Sequence, residues 1–475
     1  MSMQAKQMNR RRLLQWVGGA LAGALGAGSI SLMAPRMARA QSGYKALVCL
    51  FLYGGNDGTN MVVPNDVSRY NQYAGVRGAL ALPRSSLVGL SGTDYGLHPA
   101  MSALGPVWSS GALAPVFNLG PLHAPLTKTE YRNAPPSSPL IPDSLFSHSD
   151  QQLLWESSGS VALARTGWGG RAVATLNAGS PVISVGGNAR FGLSSLVSPL
   201  VLPGPGANFG LEGMSSTWDP VVRRKAALMA LYGQTQTSTL GEVYAAHQRE
   251  AMSVADRLGE LLKVLPRDHV STQIDAAFAP LTNAQGALTT RLGGQLYQVA
   301  KLIEGRTTVQ GSRHIFFAQM GGFDTHGEQI STDSQSGTHA RLLKELGDAM
   351  ACFQAAMVAL GLDDQVTLFT QSDFGRTFAP NSSTGTDHAW GNHHLVMGGA
   401  INGRTTYGAY PELVLGGNDD VGVNSWERQG RWIPRLSVDQ YAATLLRWLG
   451  ASEGQLDTIL PNLANFGSAR NVGFL

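Results

Sequence analysis

The feature that most constrains this chain is the run Lys45-Ala-Leu-Val-Cys-Leu-Phe-Leu-Tyr53, closed by Gly54-Gly55. A continuous apolar run of this length reads as a strand buried on both faces, so the fold must supply a covering layer above it and another below. Shorter runs of the same kind recur at 113–119, 181–185, 313–319, 365–370 and 394–399. Helical patterns lie between them. The clearest covers 338–360, where Leu342, Leu346, Met350, Phe353, Met357 and Leu360 recur at steps of three and four. Ser437 predicts an N-cap for a helix over Val438–Leu449 that stops at Gly450. Buried strands alternating with helices predict an α/β fold, a central and mostly parallel sheet flanked by helices.

The middle of the chain reads differently. Residues 220–265 and 271–304 are mostly helical in pattern, and predict a helical insertion at about 220–305 between early and late strands. Asp219 before Pro220 suits an N-cap followed by a first-turn proline. Residues 120–143 and 186–218 are rich in Gly, Pro and Ser and read as long surface loops. One domain over 41–475 with insertions accounts for the pattern most economically.

The first forty residues have another character. Arg10-Arg11-Arg12 precede Leu13-Leu14, a Gly/Ala-rich apolar span runs over 16–33, and Ala38-Arg39-Ala40 places small residues at both ends of a cleavage site. This is the layout of an export signal for the twin-arginine machinery, which would leave a mature chain starting at Gln41 in the periplasm or secreted. An uncleaved N-terminal anchor is the other reading of the same span, and no later segment is apolar enough to cross a bilayer. The leader holds six basic residues and no acidic one, so the formal charge of +3 becomes −3 without it. The basic balance is therefore no argument for nucleic acid as a partner. Two cysteines, Cys49 in an apolar run and Cys352 in a helical pattern, exclude a disulfide scaffold and a cysteine zinc finger, and read as small core residues.

Four segments combine glycine with Asp or His near predicted strand ends: Tyr53-Gly-Gly-Asn-Asp-Gly-Thr-Asn60, Met320-Gly-Gly-Phe-Asp-Thr-His-Gly327, Thr370-Gln-Ser-Asp-Phe-Gly-Arg-Thr377 and Gly385-Thr-Asp-His-Ala-Trp-Gly-Asn-His-His394. In a parallel sheet, functional groups gather beyond the carboxyl ends of the strands. Asp57, Asp324 and Asp373 each follow a strand candidate by three to five residues. Carboxylates brought together there repel one another unless a positive charge stands between them. With imidazoles from His326 and His388 they form a mixed oxygen and nitrogen set that suits Zn²⁺, Mn²⁺ or a related divalent ion. Taken singly, an Asp after Gly-Gly equally suits a turn-stabilising role, and His393 or His394 a hydrogen-bonded structural one. Arg376, with Asn60, is a candidate for gripping phosphate or sulfate oxygens, or it pairs with Asp373 or Asp387.

The nucleophile is read in Phe146-Ser-His-Ser-Asp-Gln-Gln-Leu-Leu-Trp155, a loop entering a helix. Ser147 there sits where backbone N–H groups favour an anion. It is equally placed to be only the N-cap. Thr127 and Thr129 are weaker candidates. The chain has no Gly-x-Ser-x-Gly elbow, Walker A loop, His-Glu-x-x-His helix or Gly-x-Gly-x-x-Gly after the first strand. Ordinary α/β-hydrolase, P-loop, zincin and Rossmann dehydrogenase chemistries lose their support.

At these segments the chain resembles the bacterial exported family catalogued as domain of unknown function 1501. The matching pieces are the Arg-Arg leader, Leu52-Tyr-Gly-Gly-Asn-Asp-Gly58, Ser147-His148 with Gln151, Gly321-Gly-Phe-Asp-Thr-His326, Ser372-Asp-Phe-Gly-Arg-Thr377 and Asp387-His-Ala-Trp-Gly391. That family is similar to the alkaline phosphatase and sulfatase superfamily. The resemblance implies an alkaline phosphatase-like sheet with metals above the strand ends. It implies metal ligation by Asp57 beside a nucleophile, here Ser147, by Asp324 and His326, by Asp373, and by a final His388. An adjacent Asp-His pair belongs to the second metal in that superfamily. Phe374 follows Asp373 here, so that site is incomplete, absent, or rebuilt from His148, His393 or His394.

The expected function is thus an exported, metal-dependent hydrolase of anionic phosphate or sulfate esters, with Ser147 and Arg376 as catalytic residues. The competing expectation is a non-catalytic periplasmic binding or assembly protein on a degenerate phosphatase-like scaffold. The leader carries its own test: N-terminal sequencing of exported protein is expected to return Gln41, and replacing Arg10 and Arg11 by Lys is expected to stop export.

Overall fold

The computed structural model describes residues 43–475 apart from 160–163, 211, 212, 215 and 270. The twin-arginine leader and the expected start at Gln41 lie outside the described residues.

Eleven strands occur among the described residues: β1 Lys45–Leu52, β2 Val62–Pro64, β3 Val88–Gly89, β4 Tyr95–Leu97, β5 Leu113–Gly120, β6 Ile183–Ser184, β7 Leu200–Val201, β8 Arg313–Met320, β9 Val366–Ser372, β10 Asn392–Met397 and β11 Leu436–Ser437. Eight of them form one sheet in the order β11-β5-β10-β9-β1-β8-β6-β7, and β2-β4-β3 form a small second one. In the large sheet only β10 runs against its neighbours. The mostly parallel sheet expected from the sequence is therefore the one observed.

β1 is buried on both faces, as its unbroken apolar run requires. Ala46, Val48, Leu50 and Leu52 join one core cluster, with the helices Arg291–Glu304 and Thr338–Ala359. Leu47, Cys49 and Phe51 join the opposite cluster, with the helix Val438–Leu449. β8 divides in the same way, Phe316 and Ala318 to one side and Ile315 and Phe317 to the other. Cys49 and Cys352 are both buried and free. The Val438–Leu449 helix has the expected ends: Ser437 and Gln440 form a capping box, and Gly450 closes it at φ 113°.

Between β7 and β8 the chain runs through the helices Asp219–Tyr232, Thr239–Lys263, Thr272–Phe278 and Arg291–Glu304. The expected N-cap at Asp219 shifts by one residue. Trp218 holds the cap position, and Asp219 is helical and pairs with Arg223 at 2.7 Å. The stretch 120–143 is not all loop, since Lys128–Asn133 is a short helix with a Thr127–Glu130 capping box. Among the described residues no helix is long and apolar enough to cross a membrane.

The topology gathers the turns that matter. β1 lies between β8 and β9, in parallel with both, so the turns after Leu52, Met320 and Ser372 emerge at one edge. The antiparallel β10 begins at that same edge, which brings the residues before Asn392 to it. Gly54 and Gly55 let these turns interlock. Both have positive φ, 111° and 79°. A Cβ at Gly54 would lie 2.5 Å from the Asp324 nitrogen, and one at Gly55 2.5 Å from the Phe374 ring. Gly54→Ala is therefore expected to lower stability by about 2–5 kcal/mol, through strained φ and overpacking together, as measured by urea unfolding.

Candidate metal centre

Three imidazoles converge on one carboxylate oxygen. Asp324 Oδ1 lies 3.3 Å from His148 Nε2, 3.2 Å from His326 Nε2 and 3.4 Å from His388 Nε2. The four residues arrive on three supports. Asp324 and His326 follow β8, His388 precedes β10, and His148 opens the helix His148–Ser157. The ligand atoms of His148, Asp324 and His388 all lie within 4.8 Å of one another.

The far side of each ring fixes its proton. His148 Nδ1 lies 2.7 Å from Asp373 Oδ2, His326 Nδ1 2.9 Å from Asp387 Oδ1, and His388 Nδ1 2.7 Å from the Phe146 carbonyl oxygen. Carboxylate and carbonyl oxygens only accept, so each Nδ1 donates and each Nε2 is left facing the cluster, bare in the neutral ring and protonated in the charged one. His326 Nε2 and His388 Nε2 are 2.7 Å apart. Two ring nitrogens at that separation, beside a carboxylate oxygen, need a proton or a metal ion between them. Rings held through Nδ1 by an oxygen acceptor are the usual outer support of a metal-bound histidine. Phe146 supplies its carbonyl from a left-handed backbone, φ 75°, a strained conformation for a bulky residue.

Charge balance follows from the same contacts. Burial raises the Asp324 carboxyl, but the Arg376 hydrogen bond and charge, with His148 and His326, outweigh it and hold it down at about 2. The hydrogen bond to Asp373 pushes the His148 ring up from its ordinary value, while burial pushes His388 down. Asp387 is also raised by burial and lowered more by Asn381 and His326, so it stays ionised opposite His326.

The residues expected from the sequence separate into those at this cluster and those beside it. Asp324, His326 and His388 come together. Asp373 sits one step behind: its Oδ2 accepts from His148 Nδ1, Gln152 Nε2 (2.9 Å) and Gly54 N (3.1 Å), so it orients a ring. Its buried Oδ1 has no hydrogen-bond partner among the described residues. Phe374 does not leave a gap. Its ring packs 4.8 Å from His148 and 4.6 Å from His388, forming an apolar wall for the cluster.

Asp57, expected as a ligand, is turned away from the cluster. Its Oδ1 pairs with Arg77 Nη2 at 2.5 Å and also accepts from Asn60 N, and its Oδ2 accepts from Gln329 Nε2 at 2.6 Å. Both partners of the Asp57–Arg77 pair are fully buried. Burial raises the Asp57 carboxyl, and Arg77 with His339 lowers it further than that, so it remains charged. A guanidinium already supplies the positive charge that a metal would bring.

Arg376, expected to grip an anion, is buried and engaged at all three nitrogens. Nε donates to Gly55 O, Nη1 to Thr386 O, and Nη2 to Gly54 O, Phe323 O and Asp324 Oδ1. It ties the interlocked turns together and has no free fork. Asn60 is likewise committed, to Leu80 O and the Tyr73 hydroxyl. His393 and His394 are buried elsewhere, each held down at about 3 by burial. Ser147 holds the N-cap position without making a cap hydrogen bond, its hydroxyl meeting only Ser149 among the described residues, at 3.2 Å. The residue on either side of it serves the cluster, Phe146 through its carbonyl and His148 through its ring.

Sequence reasoning held His148 only as a substitute ligand, and missed Phe146, Gln152, Gln329, Arg77 and Asp387 as supports. The adjacency of Ser147-His148 to a helix start was the signal available for His148. Nothing local marks Arg77, twenty residues from its partner Asp57, or Gln329, which reaches the same carboxylate across 272 residues.

Residues 193–424 match the family model described as "Protein of unknown function (DUF1501)". No curated protein matches the chain. Among solved structures the chain is similar to Ps i-CgsB in complex with k-i-k-neocarrahexaose, at 9% identity and TM-score 0.37, covering 90% of this chain and 77% of that one. It is similar to a variant of the alkaline phosphatase PafA, at 11% identity and TM-score 0.29, covering 71% and 64%. It is also similar to a glycosaminoglycan-metabolism protein of Bacteroides thetaiotaomicron, at 12% identity and TM-score 0.33, covering 88% and 82%.

The buried pair predicts a clean split between stability and metal binding. Arg77→Met strands a charge in the core and is expected to cost about 3–5 kcal/mol in urea unfolding, much of it recovered when Asp57→Asn is added. Asp57→Asn is expected to leave zinc content at the wild-type level, while His388→Ala removes it.

Proposed function

We propose that this chain, whose residues 193–424 match the DUF1501 family model, is an exported hydrolase of phosphate or sulfate esters that depends on one divalent metal ion. The observation that carries the reading is the set of Nε2 atoms from His148, His326 and His388 gathered around Asp324 Oδ1, each ring held from behind through Nδ1. Three imidazoles and one carboxylate suit Zn²⁺, and Mn²⁺ less closely. A divalent ion held there would act as a Lewis acid and offset charge on the transferred group. A second ion finds no matching donors at Asp57, which Arg77 and Gln329 already occupy.

The protein's own groups have defined tasks in this reading. Asp373, Asp387 and the Phe146 carbonyl hold the rings in the ligating tautomer. Phe374 excludes water from one side of the cluster. Ser147, uncapped and flanked by two residues of the site, offers its hydroxyl as the nucleophile. The leader would take the folded chain through the twin-arginine machinery to the periplasm or beyond it.

The competing reading, a non-catalytic binding or assembly protein, draws its support from the Asp57–Arg77 pair and the fully engaged Arg376, which remove two groups that the chemistry was expected to use. One set of measurements decides between them. Zinc at a hundredfold excess over its dissociation constant is expected to stabilise wild type by about 2.7 kcal/mol. That gain is expected to vanish in His388→Ala and to persist in His393→Gln. Ser147→Ala is expected to keep the metal and lose hydrolysis of 4-nitrophenyl phosphate and sulfate by ~100-fold or more. Metal-loaded wild type that hydrolyses neither ester would favour the non-catalytic reading.

A further inference from the structure

With Arg376 fully engaged, the anion of an ester substrate needs another grip. One guanidinium at the cluster is built for it. Arg431 Nε donates to the carbonyl oxygen of His388 at 2.9 Å, and its guanidinium carbon lies 5.1 Å from the centre of the Phe146 ring. The residue is half-buried. Among the described residues Nη1 and Nη2 make no hydrogen bond or ion pair, although the charge acts on Asp387 and Glu427.

The backbone that carries this arginine is pinned. Asp420 Oδ1 accepts from Arg431 N at 3.2 Å and from Gly422 N at 3.1 Å, while its Oδ2 accepts from Gly430 N at 3.1 Å and Gly416 N at 2.8 Å. Lys128 Nζ closes the same loop from outside through the carbonyl oxygens of Gly416, Gly417 and Gly422. A side chain tied at its Nε, stacked on an aromatic face and rooted in a stapled loop loses little freedom on binding. Its two terminal amines are then a ready planar fork for oxyanion oxygens.

We propose that Arg431 grips the anionic group of the substrate, a tetrahedral phosphoryl or sulfuryl group, through Nη1 and Nη2. The proposal rests on the reading of the adjacent cluster as the metal centre of an ester hydrolase. Its geometry is compact. Phe146 lies beneath the guanidinium, Ser147 is the next residue, His148 enters the cluster, and His388 both accepts from Arg431 and turns its Nε2 to Asp324. An anion held by this fork would meet the Ser147 hydroxyl and the His148 ring, which lie on consecutive residues of one segment.

The test uses the full mature chain, titrated calorimetrically with inorganic phosphate and with sulfate, both metal-free and loaded with Zn²⁺. Arg431→Gln is expected to weaken phosphate binding ten-fold or more in both forms, and Arg431→Lys by less. Arg428→Gln, which removes an exposed arginine of the same loop, is expected to change it less than two-fold. Zinc content measured on each variant is expected to match wild type. Phosphate affinity unchanged in Arg431→Gln, an equal loss in Arg428→Gln, or no binding of phosphate by wild type in either form would overturn the assignment. Failure of the metal reading has a separate signature, wild type that takes up no Zn²⁺, and the metal-free titration still judges Arg431 in that case.

Discussion

β1 lies in parallel register with β8 along its whole length, from Lys45 against Arg313 to Leu52 against Met320, and with β9 from Ala46 to Leu52. Everything polar in the candidate site depends on that seat. A parallel neighbour on each side sends three glycine-containing turns out of one edge, and the antiparallel β10 returns a fourth segment to it. The turns then lock by contact. Gly54 meets the Asp324 backbone, Gly55 meets Phe374, and Arg376 crosses beneath them through carbonyls of Gly54, Gly55, Phe323 and Thr386. Arg376 is thus a tie between strand ends, and its contact with Asp324 holds that carboxylate charged in front of the imidazoles.

Three carboxylates leave this edge of the sheet, and each meets a different cation or donor. Asp57 is neutralised in the core by Arg77. Asp373 accepts three hydrogen bonds and gives direction to His148. Asp324 alone remains half-exposed, facing three Nε2 atoms. The repulsion anticipated among converging carboxylates is relieved piecewise, by the Arg77 guanidinium for one, by hydrogen-bond donors for another, and by the Arg376 guanidinium with the imidazoles for the third. This division explains how a chain can lack the imidazole expected at Phe374 and still assemble a dense ligand set.

The sheet was legible because its signal is local: an apolar run between glycines reports burial on both faces wherever it occurs, as in 45–53. The placement of Asp324, His388 and Asp373 was legible for a related reason, since strand order fixes which ends meet. What a side chain does once there is decided by partners that sequence spacing does not reveal. Asp57 and Arg376 stand at suitable positions for their expected roles, yet Arg77 and Gln329 claim one and four backbone carbonyls claim the other. His148 reaches Asp373 across 225 residues, and Arg431 sits in a loop with no recognisable pattern. The single shift at Asp219 is smaller in kind, because Pro220 is favoured in the first turn whichever of the two preceding residues takes the cap.

The central position of β1 has a consequence in time. β1 is among the first segments of the fold to be synthesised, but its neighbours begin only at Arg313 and Val366. At roughly 5–20 residues per second, the strand waits roughly 15–60 s for both edges to be paired. Until β8 is made, an eight-residue stretch of almost wholly apolar sequence lacks both of its neighbours, and until β9 is made it lacks one. Long-range parallel pairing of this sort is slow and exposes a chain to association with other chains. Synthesis is therefore a stage at which β1 is open to association, and a chaperone able to cover residues 45–52 would act there on the strand around which the rest of the molecule is ordered.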